Sequence, residues 1–308
     1  MTTLTDMINE VSMNLSGYTL QQDRATHITA AVAATASSSA TPIVLSLGST
    51  DSVGKGIIEI DEELFWVDNY DRVGNTATIA PYGRAYLGTT LATHALDAKV
   101  TIAPTFPRFT IKRAINDTIS AIGASIFAAN TTTITSNSAA SAFRLPTTGA
   151  TLNISKILAI AYQALGASKE WVPIRTYRFD GNANTTAFTS GQTVSIYDYI
   201  PSGRTVQIVY ATDPVAFTTN ADVFTTQTGL PESCKDLVIL GATYRLLSNL
   251  DPARASMVSP QADEVDSKRP YGSSQTLTRQ IYALFTQRLN EEIKNQQDKY
   301  PIRVHYSL

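Results

Sequence analysis

The chain has one cysteine, Cys234, in 308 residues, so no intrachain disulfide can form and no cysteine cluster can hold a metal. Charge is scarce as well: 24 Lys and Arg stand against 26 Asp and Glu, and charged residues make up 16% of the chain, where a soluble domain carries roughly a quarter. A net charge of -2 removes the case for a strongly nucleic-acid-binding protein, because such domains carry a basic patch or stripe. Long apolar runs are missing too. Nothing approaches the roughly 18 residues that span a bilayer, and Met1–Glu10 lacks the basic start and apolar run of an export signal. The expectation is a protein folded in a reducing cytoplasm, with no membrane partner. Low charge with abundant Ala, Ser and Thr predicts that part of the surface is covered by other subunits.

Patterns of chemistry are equally sparse. The nearest approach to a phosphate loop is Gly48 to Gly56, after the apolar run Ile43–Leu47. A phosphate loop needs four residues between its glycines, Ser or Thr after the lysine, and a helix behind. Here five residues separate Gly48 from Gly54, Gly56 follows Lys55, and a strand comes next, so this reads as a hairpin connection. His27, His94 and His305 share no helical or metal-ligand spacing and are expected at a surface or interface. Glu59, Asp61, Glu62 and Glu63 could suggest paired carboxylates, but they fall around a predicted turn, where solvated acids are common. There is no Gly-x-Ser-x-Gly elbow, and Cys234, at the start of a predicted helix, reads as a small buried hydrophobe. The segment Arg175–Phe179 alternates like an ordinary strand rather than a base-stacking platform. No catalytic residue, cofactor or metal site is expected.

What is present is periodicity. Leu4, Met7, Ile8, Val11 and Leu15 recur at helical spacing, Thr3 and Asp6 resemble a capping box, and Gly17 is a natural stop. Ala30–Thr41 is low in complexity and reads as a connection or weak strand. Short β runs follow at Ile43–Leu47, Gly56–Ile60, Leu64–Val67, Ala77–Ile79 and Lys99–Ile102, a spacing that suits a small barrel or sandwich. Pro104–Pro107 breaks that pattern and opens a helix striped by Ile111, Ile115, Ile119, Ile122 and Ile126. Asn130–Ser141 reads as a polar loop. Strands are then predicted near Thr151–Ala161, Val172–Phe179, Val194–Tyr197 and Thr205–Ala211.

A helix begins after Gly229-Leu-Pro231, with Leu237, Val238, Leu240, Tyr244, Leu247 and Leu250 apolar, and stops at Asp251-Pro252. After a polar loop, Ser273 or Ser274 caps a last helix whose stripe is Leu277, Ile281, Leu284, Phe285, Leu289 and Ile293, the expected bundle or inter-subunit face. Ile302, Val304, Tyr306 and Leu308 alternate with polar residues, a terminal strand pattern. The expected fold class is α+β: a helical core, built from N-terminal, central and two C-terminal helices, with two small all-β domains inserted. The expected divisions are 1–29, 30–104 (β), 105–130 (central helix), 131–228 (β), 229–300 (helices) and 301–308 (docking strand).

Two segments carry a resemblance. Gly83-Arg-Ala-Tyr-Leu-Gly-Thr-Thr-Leu-Ala-Thr-His94, continuing through Lys99 to Phe109, resembles the β-domain-to-helix junction of tailed-phage virion proteins. Thr205–Pro214, followed by the helix Thr228–Leu247, is similar to head-to-tail adaptor (connector) proteins of long-tailed bacteriophages. The resemblance covers most of the chain from Gly56 onward. It implies a structural subunit of the virion neck, assembled in the host cytoplasm as a ring of twelve copies below the portal protein. A stopper or terminator protein would sit on the tail side, and viral DNA would pass through the lumen without sequence-specific binding. It also implies that Ile302, Arg303, Val304, His305, Tyr306 and Leu308 dock on the portal. The competing expectations are a tail-terminator, stopper or minor tail protein, and a carbohydrate-binding adsorption module using Trp66 and Trp171.

Overall fold

The computed structural model describes residues 1–19, 23–35, 43–48, 53–137, 140–145, 154–165, 169–248 and 273–301. Among these are thirteen strands in three antiparallel sheets and five α-helices. The expected helical core with two small β insertions is therefore overturned: the protein is β-rich, and its sheets carry their own cores. Amphipathic stripes misled because a stripe says that a helix face is covered, not what covers it.

The chain divides into two compact units. One comprises Thr5–Ile115 and Ile239–Ile281, the other Met1–Leu4, Asn116–Val238 and Tyr282–Leu308.

The first unit is built on β1 (Arg24–His27), β2 (Ile43–Ser46), β3 (Gly56–Ile60), β4 (Glu63–Asp71), β5 (Thr76–Ile79) and β6 (Lys99–Ile102), ordered β1-β6-β3-β4-β5-β2. The two outer strands meet: Ile28 bridges Leu47, the Gly48 amide donates to the His27 carbonyl at 2.8 Å, and Thr29 N–H donates to Ser46 at 2.9 Å. The sheet thus closes into a six-stranded barrel, which removes the exposed edges of an open sheet. Inside it Ile28, Leu45, Ile58, Ile60, Phe65, Val67, Val100 and neighbours form one buried cluster, each large side chain contributing on the order of 1.5–3 kcal/mol by leaving water. Because β2 pairs β5 while β3 pairs β4 and β6, Gly48–Gly56 joins strands that are not neighbours, and the expected hairpin there is corrected. Strand β1 was not predicted, since Arg24-Ala-Thr-His27 has little apolar signal.

Among the helices that lie at least partly in this unit are two amphipathic ones. The helix α1 (Leu4–Thr19) buries Leu4, Met7, Ile8, Val11 and Leu15, as its spacing requires. The helix α2 (Arg108–Ile122) starts just past Pro107 and buries Ile111, Ile115, Ile119 and Ile122.

In the second unit β7 (Ala128–Thr135), β9 (Ile154–Gln163), β10 (Trp171–Pro173) and β13 (Thr205–Thr212) form a sheet ordered β10-β9-β13-β7. Strands β8 (Ala142–Arg144), β11 (Tyr177–Asp180) and β12 (Thr193–Ile196) form another, ordered β11-β12-β8. Leu145, Ile160, Ile174, Val194, Ile196, Val206 and Ile208 make one core shared by both sheets. Two expectations are corrected. Asn130–Thr135 is strand, not loop, since β-branched threonines suit a pleated surface. Val172–Phe179 is two strands in different sheets, broken where Pro173 removes a ladder donor.

The remaining helices are α3 (Phe224–Thr228), not predicted, α4 (Lys235–Ser248), and α5 (Ser273–Lys299). In the second unit Thr3 bridges Val223 and Phe224 N–H donates to Thr2 at 2.9 Å, tying the first residues down. Residues 302–308, with Leu250 and 251–272, lie outside the described residues.

Candidate functional site

A dense buried polar arrangement lies where β4 enters the barrel, on the strand face that also carries Phe65 and Val67, and it is assembled from residues that the sequence reading set aside. The β3–β4 turn, Asp61-Glu62, brings Glu63 to the first position of β4, opposite Ile60. The long connection between β5 and β6 returns Arg84 and His94 to it. Glu63 is 1% exposed, His94 2% and Arg84 5%.

Both carboxylate oxygens of Glu63 are fully used. Oε1 accepts from Arg84 Nε at 2.9 Å and from the Ala85 amide at 3.0 Å. Oε2 accepts from Arg84 Nη2 at 2.8 Å and from the Ala92 amide at 2.9 Å, and it lies 3.0 Å from His94 Nε2. The other ring nitrogen, Nδ1, is 2.7 Å from Asp61 Oδ2. Arg84 spends its remaining donors on the carbonyls of Ala33, Thr35 and Ala92. Backbone bonds of 2.9 Å run both ways between Val32 and His94. The Phe65 ring lies against both cations, 5.1 Å from the Arg84 guanidinium and 5.6 Å from the imidazole.

The electrostatics follow from this packing. Burial alone would push the Glu63 carboxyl up, but the bonds from His94, Arg84 and two amides outweigh it and hold it down at about 2. Burial likewise disfavours a charged His94, yet the flanking Glu63 and Asp61 carboxylates win and raise it above its ordinary value. The favoured state is a carboxylate between an imidazolium and a guanidinium, a buried charge cluster that is compensated internally.

A second buried acid performs a different task. Glu59, on β3, accepts the Arg108 amide at 2.6 Å and so caps the N-terminus of α2, where a helix leaves its first N–H groups without partners. Burial, only partly offset by Arg108, pushes its carboxyl up to about 7. Arg108 Nη1 also donates to Asn9 on α1 at 2.8 Å, and Lys112 lies 3.4 Å from Glu62.

The expectation that Glu59 and Glu63 are solvated turn acids is therefore corrected, as is a surface place for His94; His27 and the Asp61 side chain are exposed. These buried groups escaped because their partners stand 21 to 49 residues away. One signal was present: an acid inside the apolar run Ile57-Ile58-Glu59-Ile60 must face the side of the strand away from the barrel interior.

In the second unit, Arg288 of α5 plays a comparable part. It donates to Asp236 at 2.8 Å, Glu291 at 2.6 Å, Glu292 at 3.0 Å and the Ser233 carbonyl at 3.2 Å. Glu292 is buried and also accepts from Ser233 Oγ at 3.1 Å. Cys234 sits beside it, and burial together with the Glu292 charge pushes its thiol up to about 12. Further along α5, Gln296 brackets the backbone of Phe127, donating to its carbonyl at 2.7 Å and accepting its amide at 3.1 Å.

Of the expected inter-subunit stripe, Ile281 and Phe285 are buried, Leu277, Leu289 and Ile293 half-buried, and Leu284 is 53% exposed. The expected portal-docking residues Ile302, Arg303, Val304, His305, Tyr306 and Leu308 lie outside the described residues. The Trp66 and Tyr86 rings meet at a tilt of 42° with centroids 5.3 Å apart, while Trp171 is partly exposed on β10. Arg178 lies on β11, paired across to Ser195. Among the described residues no group of three or more His, Cys, Asp and Glu is placed to hold a metal ion, and no helix is long and apolar enough to cross a membrane.

A carboxylate whose acceptor positions all carry donors offers no lone pair to a substrate. What this geometry can do is hold a loop: Glu63, Arg84 and His94 fix the stretch from Gly83 to His94 and the strand-like arm at 32–35. No family of known proteins matches the chain, and no curated protein matches it.

Proposed function

We propose that the chain is a structural subunit of a tailed-bacteriophage virion, a head-to-tail adaptor that assembles as a ring, of twelve copies, between portal and tail. The observation that carries this reading is the construction of Gly83–His94. One of the two segments that carry the resemblance to phage virion proteins is also the segment pinned by the buried Glu63–Arg84–His94 cluster. Its polar residues serve architecture, as suits a protein that works by shape. Sparse charge adds support, because a lumen through which DNA slides must not grip phosphate. Viral DNA then passes by without sequence-specific contact, and the chain's partners are copies of itself, the portal and a tail-side stopper or terminator.

The β-rich architecture favours one second reading, a tail-terminator or minor tail protein, in which the partner is tail-tube protein rather than portal. Mass photometry of the purified chain mixed with purified portal rings, and separately with tail-tube protein, decides between them. Addition of about a dozen copies to each portal ring supports the adaptor; binding to tail-tube protein alone overturns it in favour of the second reading.

A further inference from the structure

The strand β7 (Ala128–Thr135) is an outer strand of its sheet, bonded to β13 alone among the described strands. Alternation along a strand fixes which of its backbone groups the sheet uses. Ser136 N–H donates to the Arg204 carbonyl at 2.7 Å, in step with the register that pairs Ile134 with Val206 and Thr132 with Ile208. The even-numbered residues therefore turn their amides and carbonyls toward β13, and Ala129, Thr131, Thr133 and Thr135 turn theirs to the outer edge. Phe127 shows that edge in use. Both of its backbone groups meet the Gln296 side chain of α5, which donates to the carbonyl at 2.7 Å and accepts the amide at 3.1 Å, as a neighbouring strand would.

This edge carries none of the devices that keep an edge strand from pairing. Ala128-Ala-Asn-Thr-Thr-Thr-Ile-Thr135 has no charge and no proline, and it follows β13 without a register shift, hence without a bulge. Its core face is also incompletely covered. Val206 and Ile208 on β13 are fully buried, while Ile134 and Thr132 opposite them are half-buried; on the other face Thr131, Thr133 and Thr135 are exposed. A strand that is apolar on one face and polar on the other would complete both.

We propose that residues 302–308 of the same chain pair with the outer edge of β7, parallel to it, as a fifth strand of this sheet. The end of α5 delivers them there: Gln296 holds the Phe127 backbone, the Tyr300 and Phe127 rings meet with centroids 5.9 Å apart, and Pro301 follows directly. Seven extended residues reach roughly 23 Å, about the length of β7. Starting from the Phe127 end, they are too few to travel to the far end and return, so they run in the direction of β7. Ile302, Val304, Tyr306 and Leu308 then continue the core face past Ile134, and Arg303, His305 and Ser307 lie on the face of the threonines. The occupant is this chain rather than a second copy, because a segment tethered at Phe127 meets the edge at a roughly millimolar effective concentration. The pairing belongs to the free chain and does not rest on the ring reading.

The test is amide exchange read residue by residue by NMR, in the full chain, in the chain truncated after Pro301, and in Val304→Asp, which puts a charge on the face that would join the core. In the full chain, at a concentration where sedimentation velocity shows a monomer, the Thr131 and Thr133 amides are protected alongside those of Asn130, Thr132 and Ile134. In both variants protection at Thr131 and Thr133 falls on the order of tenfold or more. Asn130, Thr132 and Ile134, held by β13, keep theirs and report that the sheet is intact. Fast exchange at Thr131 and Thr133 in the full chain overturns the proposal, as does slow exchange there that both variants leave unchanged. Protection that appears only where the chain self-associates overturns the seat within one chain and assigns the strand to a neighbouring copy.

Discussion

Glu63 and Arg84, 21 residues apart, meet as a bidentate pair with Nε–Oε1 at 2.9 Å and Nη2–Oε2 at 2.8 Å, and both side chains are out of contact with water. In such a position the pair matters most when it is broken, because the surviving charge has no solvent to turn to.

Glu63→Ala is accordingly expected to destabilise the barrel unit by about 3–5 kcal/mol, the range for stranding a buried charge. Replacing Glu63 and Arg84 together by apolar residues should cost less than the two single changes summed. Urea unfolding of the single and double variants checks this; additivity would mean that the pair does not act as a unit.

Glu59 and Glu63, the two buried acids of the barrel unit, give pH dependences of opposite sign. Glu59 has a folded pKa raised to about 7 from 4.5. Its contribution is fully present below 4.5 and is lost as pH rises to about 7, since folding must then bury a charge. Glu59→Gln keeps an acceptor for the Arg108 amide, so it should flatten the loss of stability between those values and raise stability at pH 8, by at most about 3 kcal/mol at 1.36 kcal/mol per unit. Glu63, lowered to about 2, contributes stability above 4.5 that falls away only as pH drops toward 2. Unfolding free energies measured from pH 3 to pH 9 separate the two.

His94 is raised, so the stability it contributes is complete below about 6.5 and is lost as pH rises through its folded value. Above that point one ring nitrogen loses its proton, and the contact to Asp61 or to Glu63 goes with it. His94→Gln should abolish this alkaline loss. Amide exchange followed across the same range should show faster opening at residues 32–35 and 84–94 than in the barrel strands.

Much of the barrel was legible because one face of each strand is buried in a closed sheet: Val100 and Ile102 alternate with less buried neighbours as a half-buried strand must, and Ile58 and Ile60 turn one way while the buried Glu59 turns the other. The Thr-rich β7 was not legible, since threonine reads as loop by polarity and as strand by shape, and only its pairing with β13 decides. Nor was the charge cluster, whose members lie in a hairpin turn and a distant connection that only the closed sheet brings together. The stripe of α1 was read correctly and that of α5 only in part, since Leu284 is exposed; the architecture inferred from the stripes was wrong, because periodicity locates a buried face without naming its neighbour.

Arg288→Ala should cost roughly 2–3 kcal/mol, chiefly because Glu292 stays buried with its charge unpaired. Faster amide exchange at Lys235–Val238 and along α5 from Tyr282 is the expected readout, with the barrel strands unaffected.

Cys234, buried with its thiol pushed up to about 12, should resist alkylation at pH 8 in the folded chain and react fully in denaturant. Rapid labelling of the folded protein would contradict the packing of Cys234 against Glu292.

The account stands or falls on where the chain sits in an assembled particle. Cryo-electron microscopy of the virion neck, with this chain fitted to the density, is the direct measurement. A closed symmetric ring immediately below the portal is the predicted result. Density for the chain at the tail tip or on the capsid exterior would contradict it.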